Sequence, residues 1–178
     1  MSNKKTIRRI AECGILMALA LALSFFKIIK LPSGGSVTLA ILPLVIISAR
    51  QGFLIGSLCG FAFGILLLIN GPYIVHPIQF LLDYPIAYST MGIAGIIKWE
   101  NSLKATTATT IANIMKFHCH VIAGVVFFSQ SQKNFNEALT FSYAYNSGHL
   151  LPETIICAAI VWFIAMKHKE LCSRQNLD

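Results

Sequence analysis

Four ionisable residues lie within long apolar stretches of this sequence: Asp83, Lys116, His120 and Glu153, with His76 and His118 as weaker cases. A charge left unpaired in lipid costs several kcal/mol, so such residues mark either function or a buried partner. Lys116 and His120 are four residues apart and stack on one helical face, which Asn113 shares three residues earlier. A carboxyl and an imidazole at such depth could trade protons with a substrate as acid and base, or hold a polar ligand by hydrogen bonds. Asp83 and Lys116 could also pair across two helices, either merely neutralising each other or still presenting a carboxylate oxygen to a ligand.

Two other groups of residues suggest chemistry. His118-Cys119-His120 offers metal-type donors, but consecutive helical residues point about 100° apart, so the three cannot converge on one ion and no metal is expected. Glu153 follows Pro152, which predicts a local break in its helix and a solvated or pairing role. Aromatic residues (Tyr73, Tyr84, Tyr88, Phe127, Phe128, Phe135, Phe141, Tyr143 and Tyr145) gather where outer loops meet apolar segments, as an interfacial belt would. Tyr73, Phe128, Tyr143 and Tyr145 flank the outer ends of the helices carrying Asp83 and His120. A flat cationic ligand would use that combination, π faces for its ring and a carboxylate for its charge. Asn146 adds an amide that both donates and accepts.

The elements that must position these groups are helices. Spanning the hydrocarbon core takes about 20 helical residues, and the apolar runs predict six segments, at 8–28, 38–49, 53–69, 73–99, 106–129 and 138–168. The second and third are short. Polar or Gly/Pro-rich breaks separate them: a loop at 30–37 with Pro32, Gly34 and Gly35, then Arg50-Gln51-Gly52, Asn70-Gly71-Pro72, and polar stretches at 100–105 and 130–137. Pro43, Pro77 and Pro85 free backbone carbonyls, which is tolerable where they face protein or a cavity. The expectation is an all-α polytopic membrane protein, one domain over 1–178. With both termini cytoplasmic, the cytoplasmic side holds Lys4, Lys5, Arg8, Arg9, Arg50, Lys98, Lys104, Lys167, Lys169 and Arg174, ten against Lys27, Lys30 and Lys133 opposite. The apolar run from Ile10 to Phe26 is too long for a signal-peptide core and reads as a retained first helix. On it Gly14, Ala18 and Ala22 recur every four residues, extended by Ala11, a stripe that admits another helix closely, either inside the bundle or on a separate subunit.

Composition agrees and excludes alternatives. Hydrophobic residues are 56% of 178 and charged residues 12%, about half the charged share of a soluble domain. The net charge of +7 sits at the ends of apolar runs rather than in a stripe, so nucleic acid is not an expected partner. The five cysteines (Cys13, Cys59, Cys119, Cys157 and Cys172) have no paired spacing and read as small buried hydrophobes. No phosphate loop or nucleophile elbow is visible, so neither enzymatic activity nor a cofactor is expected, and any ATP-driven motor must be another chain. A self-sufficient carrier would show internal repeats, which the sequence lacks.

The layout of six spans, the Gly14-xxx-Ala18 stripe, Tyr73-xxxxx-Gln79-xxx-Asp83-Tyr84, the run from His120 to Gln130 and Ser142-Tyr-Ala-Tyr-Asn146 resemble the thiamine-specific S component of energy-coupling factor transporters, over nearly the whole chain. The resemblance implies a multi-pass plasma-membrane subunit that captures thiamine and has no catalytic activity of its own. It implies a T transmembrane subunit docking on Gly14, Ala18 and Ala22, and two cytoplasmic ATPases. It makes Asp83, where the family usually has Glu, the acid that hydrogen-bonds the aminopyrimidine. His120 and Asn146 become further polar contacts, and Tyr73 an aromatic near the thiazolium. Phe128 stands where a stacking Trp is common, and Phe141 where Tyr is often found. With Gln79, Lys116, Tyr143 and Tyr145 these complete the expected binding set. The Pro32-Ser33-Gly34-Gly35 loop lacks the aromatic lid residue of some members, for which Tyr143 or Tyr145 could compensate. The departures leave a pyrimidine or thiazole precursor as the alternative ligand.

Overall fold

A computed structural model describes residues 3–31, 35–168 and 170. Pro32, Ser33 and Gly34 of the first loop, and Lys169, Cys172 and Arg174 of the tail, lie outside the described residues. The fold is all-α but for one small hairpin. Helix α1 (Asn3–Phe25) leads into strands β1 (Ile29–Lys30) and β2 (Ser36–Val37), which pair antiparallel with Ile29 opposite Val37. The sequence reading has only a loop there. Gly35, at φ 69°, supplies the left-handed turn that lets Leu31 N–H reach its carbonyl at 3.1 Å.

Helix α2 (Ile41–Gln51) and helix α3 (Phe53–Leu66, continued by a 3₁₀ turn Leu67–Asn70) follow. At only 11 residues α2 is the most enclosed element, with Ile41, Leu44, Val45 and Ile47 fully buried. Among the described residues three helices are long and apolar enough to cross a membrane, namely Phe53–Asn70, Ser102–Phe127 and Phe135–Lys167. The first turns of α1 carry Lys4, Lys5, Arg8 and Arg9, and its foot is fastened to the end of α2: Glu12 pairs with Arg50, and Arg9 Nε donates to Gln51 Oε1 at 3.0 Å.

Helix α4 is composite. It begins as Pro77–Leu81, opens into a π turn at Leu82–Ile86, and runs on through Ala87–Ser89 and a 3₁₀ stretch Thr90–Gly95. Its start is later than the residue 73 expected from hydropathy because Pro77 occupies the first helical position and His76 caps it, Nδ1 accepting from Ile78 N–H at 3.1 Å. The π turn coincides with Pro85, which has no N–H to give and whose ring crowds the preceding turn. The turn is held from behind by α3. A Cβ on Gly60 would lie 2.1 Å from the Tyr88 carbonyl oxygen, and one on Gly64 would lie 2.5 Å from the Tyr84 carbonyl carbon. The two backbones therefore touch, and only glycine fits at either position.

Helices α5 (Ser102–Phe127) and α6 (Phe135–Lys167) form the largest antiparallel pair. Both start earlier than hydropathy predicts because asparagines cap them: Asn101 accepts from Lys104 N–H at 2.9 Å, and Asn134 from Glu137 N–H at 3.0 Å. The break expected at Pro152 does not occur, and α6 runs through it. The proline removes one hydrogen bond, to the Gly148 carbonyl, and its neighbours keep the helix continuous.

Candidate functional site

Between the hairpin, α4, α5 and α6 lies a cavity of about 700 Å³, within the range of small-molecule sites. Its acidic wall comes from α4. Asp83 and Gln79 are four residues apart, and Gln79 Nε2 donates to Asp83 Oδ2 at 2.7 Å. Gln79 is 1% exposed and oriented in turn by Val75 N–H, which donates to its Oε1 at 3.1 Å. The other carboxylate oxygen, Oδ1, is 2.9 Å from His120 Nδ1 on α5. The carboxylate is thus pinned on both oxygens, from two helices, with lone pairs still open for a ligand donor.

The facing wall is α6. Asn146 Nδ2 donates to the Ser142 carbonyl at 2.9 Å and reaches the His120 carbonyl at 3.4 Å, tying α6 to α5. Gly124 allows the approach, since a Cβ there would sit 2.1 Å from Ser142 Oγ. Ser142 is no free nucleophile, because its hydroxyl donates to the Val121 carbonyl at 2.8 Å. Aromatic rings complete the cavity: Tyr73 and Phe128 with centroids 6.2 Å apart, Phe141 and Tyr145 nearly parallel at 6.4 Å, and Tyr84 and Tyr88 beneath. Such a cavity can hold a flat heterocycle between π faces while a fixed acid takes its amino hydrogens or positive charge.

Eight of the ten candidate binding residues line this space: Asp83, His120, Asn146, Tyr73, Phe128, Phe141, Tyr145 and Gln79. Two do not. Tyr143 is 38% exposed and packs on Phe117 at 5.6 Å. Residues 142, 145, 146 and 149 follow the helical 3–4 spacing of one face, and 143 falls off it. Lys116 belongs to the i+4 row of His120, Gly124 and Phe128 but sits one turn beyond the lined part. The expected pairing of Asp83 with Lys116 is replaced by another. Lys116 Nζ lies 2.5 Å from Glu153 Oε2 with both side chains almost fully buried, and 4.8 Å over the Tyr88 ring. Glu153 Oε1 also accepts from Thr38 Oγ1 at 3.2 Å, just past β2. The binding candidates read from sequence do not include six other lining residues, Gly35, Tyr84, Tyr88, Gly124, Ser142 and His149. The 142–145–146–149 spacing was the signal that finds the last two. Among the described residues no group of three or more His, Cys, Asp or Glu side chains could hold a metal.

Gly14, Ala18 and Ala22 all face outward from α1, and a Cβ on Gly14 would meet nothing within 4 Å.

Against this geometry, the model of a family described as Thiamine transporter protein (Thia_YuaJ) matches residues 10–173. The chain is 29% identical over 181 residues to Thiamine transporter ThiT of Bacillus subtilis (strain 168), covering 93% of this chain and 94% of that protein. Its fold is similar to that of ThiT from Listeria monocytogenes, at a TM-score of 0.83 with 24% identity over 96% of this chain and 100% of that one. It is similar, more distantly, to the S-component for biotin from an ECF-type ABC transporter, at a TM-score of 0.54 and 18% identity, over 92% and 94% of the two chains.

Proposed function

The chain belongs to the thiamine transporter protein family, and we propose that it is the membrane subunit that captures thiamine for an ATP-driven importer. The observation that carries this reading is the carboxylate of Asp83, pinned by Gln79 and His120 in a cavity otherwise walled by aromatic rings. In this reading the acid accepts hydrogen bonds from the aminopyrimidine, Asn146 contributes an amide, and Tyr73 and Phe128 face the thiazolium, whose positive charge favours π surfaces. Asp is one methylene shorter than Glu, so the aminopyrimidine must come deeper or meet the acid through a water. Lys116 acts by holding Glu153, and Tyr143 packs at the periphery. Capture without bond-making needs no nucleophile, and the Ser142 hydroxyl is engaged by the Val121 carbonyl.

The bundle crosses the plasma membrane six times as a single domain, with both termini cytoplasmic and the cavity opening outward; the ten-to-three distribution of basic residues supports this orientation. A T transmembrane subunit coupled to two ATPases docks on the α1 stripe. The outward-facing Gly14, Ala18 and Ala22 support that role, because among the described residues no other helix occupies the stripe.

Titrating the purified protein in detergent with thiamine tests the capture reading. Saturable binding of one thiamine per chain, tighter than either its pyrimidine or its thiazole half, is the expected result. Lack of binding by thiamine and both halves overturns it. Docking is tested separately by Ala18→Leu. Binding of thiamine should stay unchanged, whereas uptake by cells expressing the complete transporter should fall about tenfold, as overpacking a close helix contact would dictate. Undiminished uptake removes the stripe from the interface.

A further inference from the structure

Helix α1 is held by the bundle thinly and on one side. It packs on α2, α3 and the 3₁₀ turn that ends α3, and of its 23 residues Cys13, Ala20 and Ser24 are the ones buried. Apolar character does not decide which side that is. Ile10, Ile15 and Leu19 are exposed, while Leu16, Met17 and Leu21 pack inward. In lipid an apolar side chain is equally at home against a helix or the hydrocarbon, so such residues leave the rotation of α1 about its axis open. The directional fastenings are polar. At the foot Glu12 pairs with Arg50 at the end of α2, Gln51 Nε2 donates to Glu12 Oε2 at 3.2 Å, and Arg9 Nε donates to Gln51 Oε1 at 3.0 Å. Arg50 Nη1 also donates to the Glu170 carbonyl beyond α6, at 2.9 Å. At the head Asn70 Nδ2 donates to Ser24 Oγ at 2.6 Å. At about 100° per residue, Arg9, Glu12 and Ser24 fall within about 60° of one line along the helix. Gly14, Ala18 and Ala22 fall within about 40° of the opposite line. The fastenings and the small-residue stripe stand back to back.

We infer that Glu12, Arg50, Gln51 and Arg9 form a positioning joint, which fixes the rotation of α1 so that its stripe faces the helix of a second subunit. This rests on the docking role proposed above for the stripe. Hydrogen bonds and ion pairs are directional where apolar contact is not, and the paired Arg50 and Glu12 side chains are only 17% and 18% exposed. Turning α1 by one residue step, about 100°, would break the joint and carry Leu19 to where Ala18 now stands. A bulky side chain there would block the close approach that small residues permit. None of the four joint residues lines the thiamine cavity, so the joint governs assembly and leaves capture alone.

The test uses Glu12→Arg, Arg50→Glu and the exchanged pair Glu12→Arg/Arg50→Glu. Thiamine binding is measured on purified protein, and uptake on cells expressing the complete transporter, at equal amounts of the chain in the membrane. Each single reversal sets like charges against each other at the foot of α1. Both single variants should bind thiamine within about twofold of native and lose about tenfold in uptake. The exchange re-forms the pair in reverse and should bring uptake back to within about threefold of native. Native uptake in both single variants overturns the inference, as does an exchange no better than Glu12→Arg. Thiamine binding that falls in step with uptake also overturns it, since the four residues would then serve the fold at large. Ala18→Leu tells this failure from failure of the docking reading. If Ala18→Leu lowers uptake and the reversals do not, docking stands and the joint has no part in it. If Ala18→Leu leaves uptake native, docking itself fails, and the inference falls with it.

Discussion

Asp83→Asn should weaken thiamine binding about 100-fold, read as the shift in dissociation constant when the purified variant is titrated by calorimetry. The substitution preserves shape and removes charge, so it isolates what the carboxylate does. In the native protein each oxygen already has a donor, Gln79 Nε2 at 2.7 Å on one and the His120 ring at 2.9 Å on the other. Both must be acceptors toward the protein and toward the ligand. An amide keeps one acceptor and turns the other position into a donor. Whichever way it is placed, its NH₂ confronts Gln79 or His120, and the ligand loses an ionised acceptor. A hydrogen bond to a charged group is worth about 1.5–3 kcal/mol, or roughly ten- to 150-fold in affinity at 1.4 kcal/mol per decade, and the disturbed pinning places the variant near the upper end. Asp83→Glu is the informative control. It restores the charge with a longer reach, so it should bind within a few-fold of native. Unchanged affinity in Asp83→Asn, or a loss in Asp83→Glu as large as in Asp83→Asn, would remove Asp83 from the ligand's contacts.

The site was legible in the sequence to the extent that membrane depth makes polar residues conspicuous. Asp83 and His120 stand out because little else nearby can hydrogen-bond, whereas Gln79 entered only through the family resemblance, although its spacing puts it one turn from Asp83. Lys116 stood out for the same reason, but depth alone does not name a partner. Glu153 is 37 residues away on another helix, and only the packing of α5 on α6 decides that it, and not Asp83, meets the lysine. His149 was missed because a histidine in an apolar run is unremarkable until three neighbours at helical spacing share its wall. Helix ends were misplaced wherever side chains overrule hydropathy: Asn101 and Asn134 extend α5 and α6 outward into polar sequence, while Pro77 and His76 delay α4. The small-residue rows make the same point. Gly14-xxx-Ala18 on α1 and Gly56-xxx-Gly60-xxx-Gly64 on α3 look alike on paper. The second is consumed inside the bundle, Gly56 against Ser48 of α2 and Gly60 and Gly64 against the backbone of α4, and the first is left facing out.

The buried pair behind the cavity gives the largest expected effect on stability. Lys116→Met should cost about 3–5 kcal/mol, because removing one member of a buried ion pair strands the other charge. Lys116 and Glu153 are 2% and 3% exposed at their side chains, so water cannot replace the lost partner, and Thr38 Oγ1 at 3.2 Å is the one remaining hydrogen bond to the Glu153 carboxyl among the described residues. At the 2–4 °C per kcal/mol typical of domains of this size, the unfolding midpoint in detergent should drop by about 10 °C. The double variant Lys116→Met/Glu153→Leu separates the worth of the pair from the penalty of an orphan. With both charges gone, no desolvated group is left behind, and apolar side chains of similar volume often match or exceed a buried pair. Most of the lost midpoint should therefore return. Recovery in the double variant with Thr38 still in place would locate the cost in the stranded carboxylate. A double variant no more stable than Lys116→Met, or a single variant that melts with the native protein, would show instead that the pair is hydrated and contributes little. The expectation runs against that outcome because the ammonium is enclosed on its remaining side by the Tyr88 ring at 4.8 Å, and Tyr88 is itself held against the backbone of α3 at Gly60. The Tyr88 ring that covers the pair also lines the cavity, whereas Lys116 does not, so loss of the pair should disturb the cavity wall from behind.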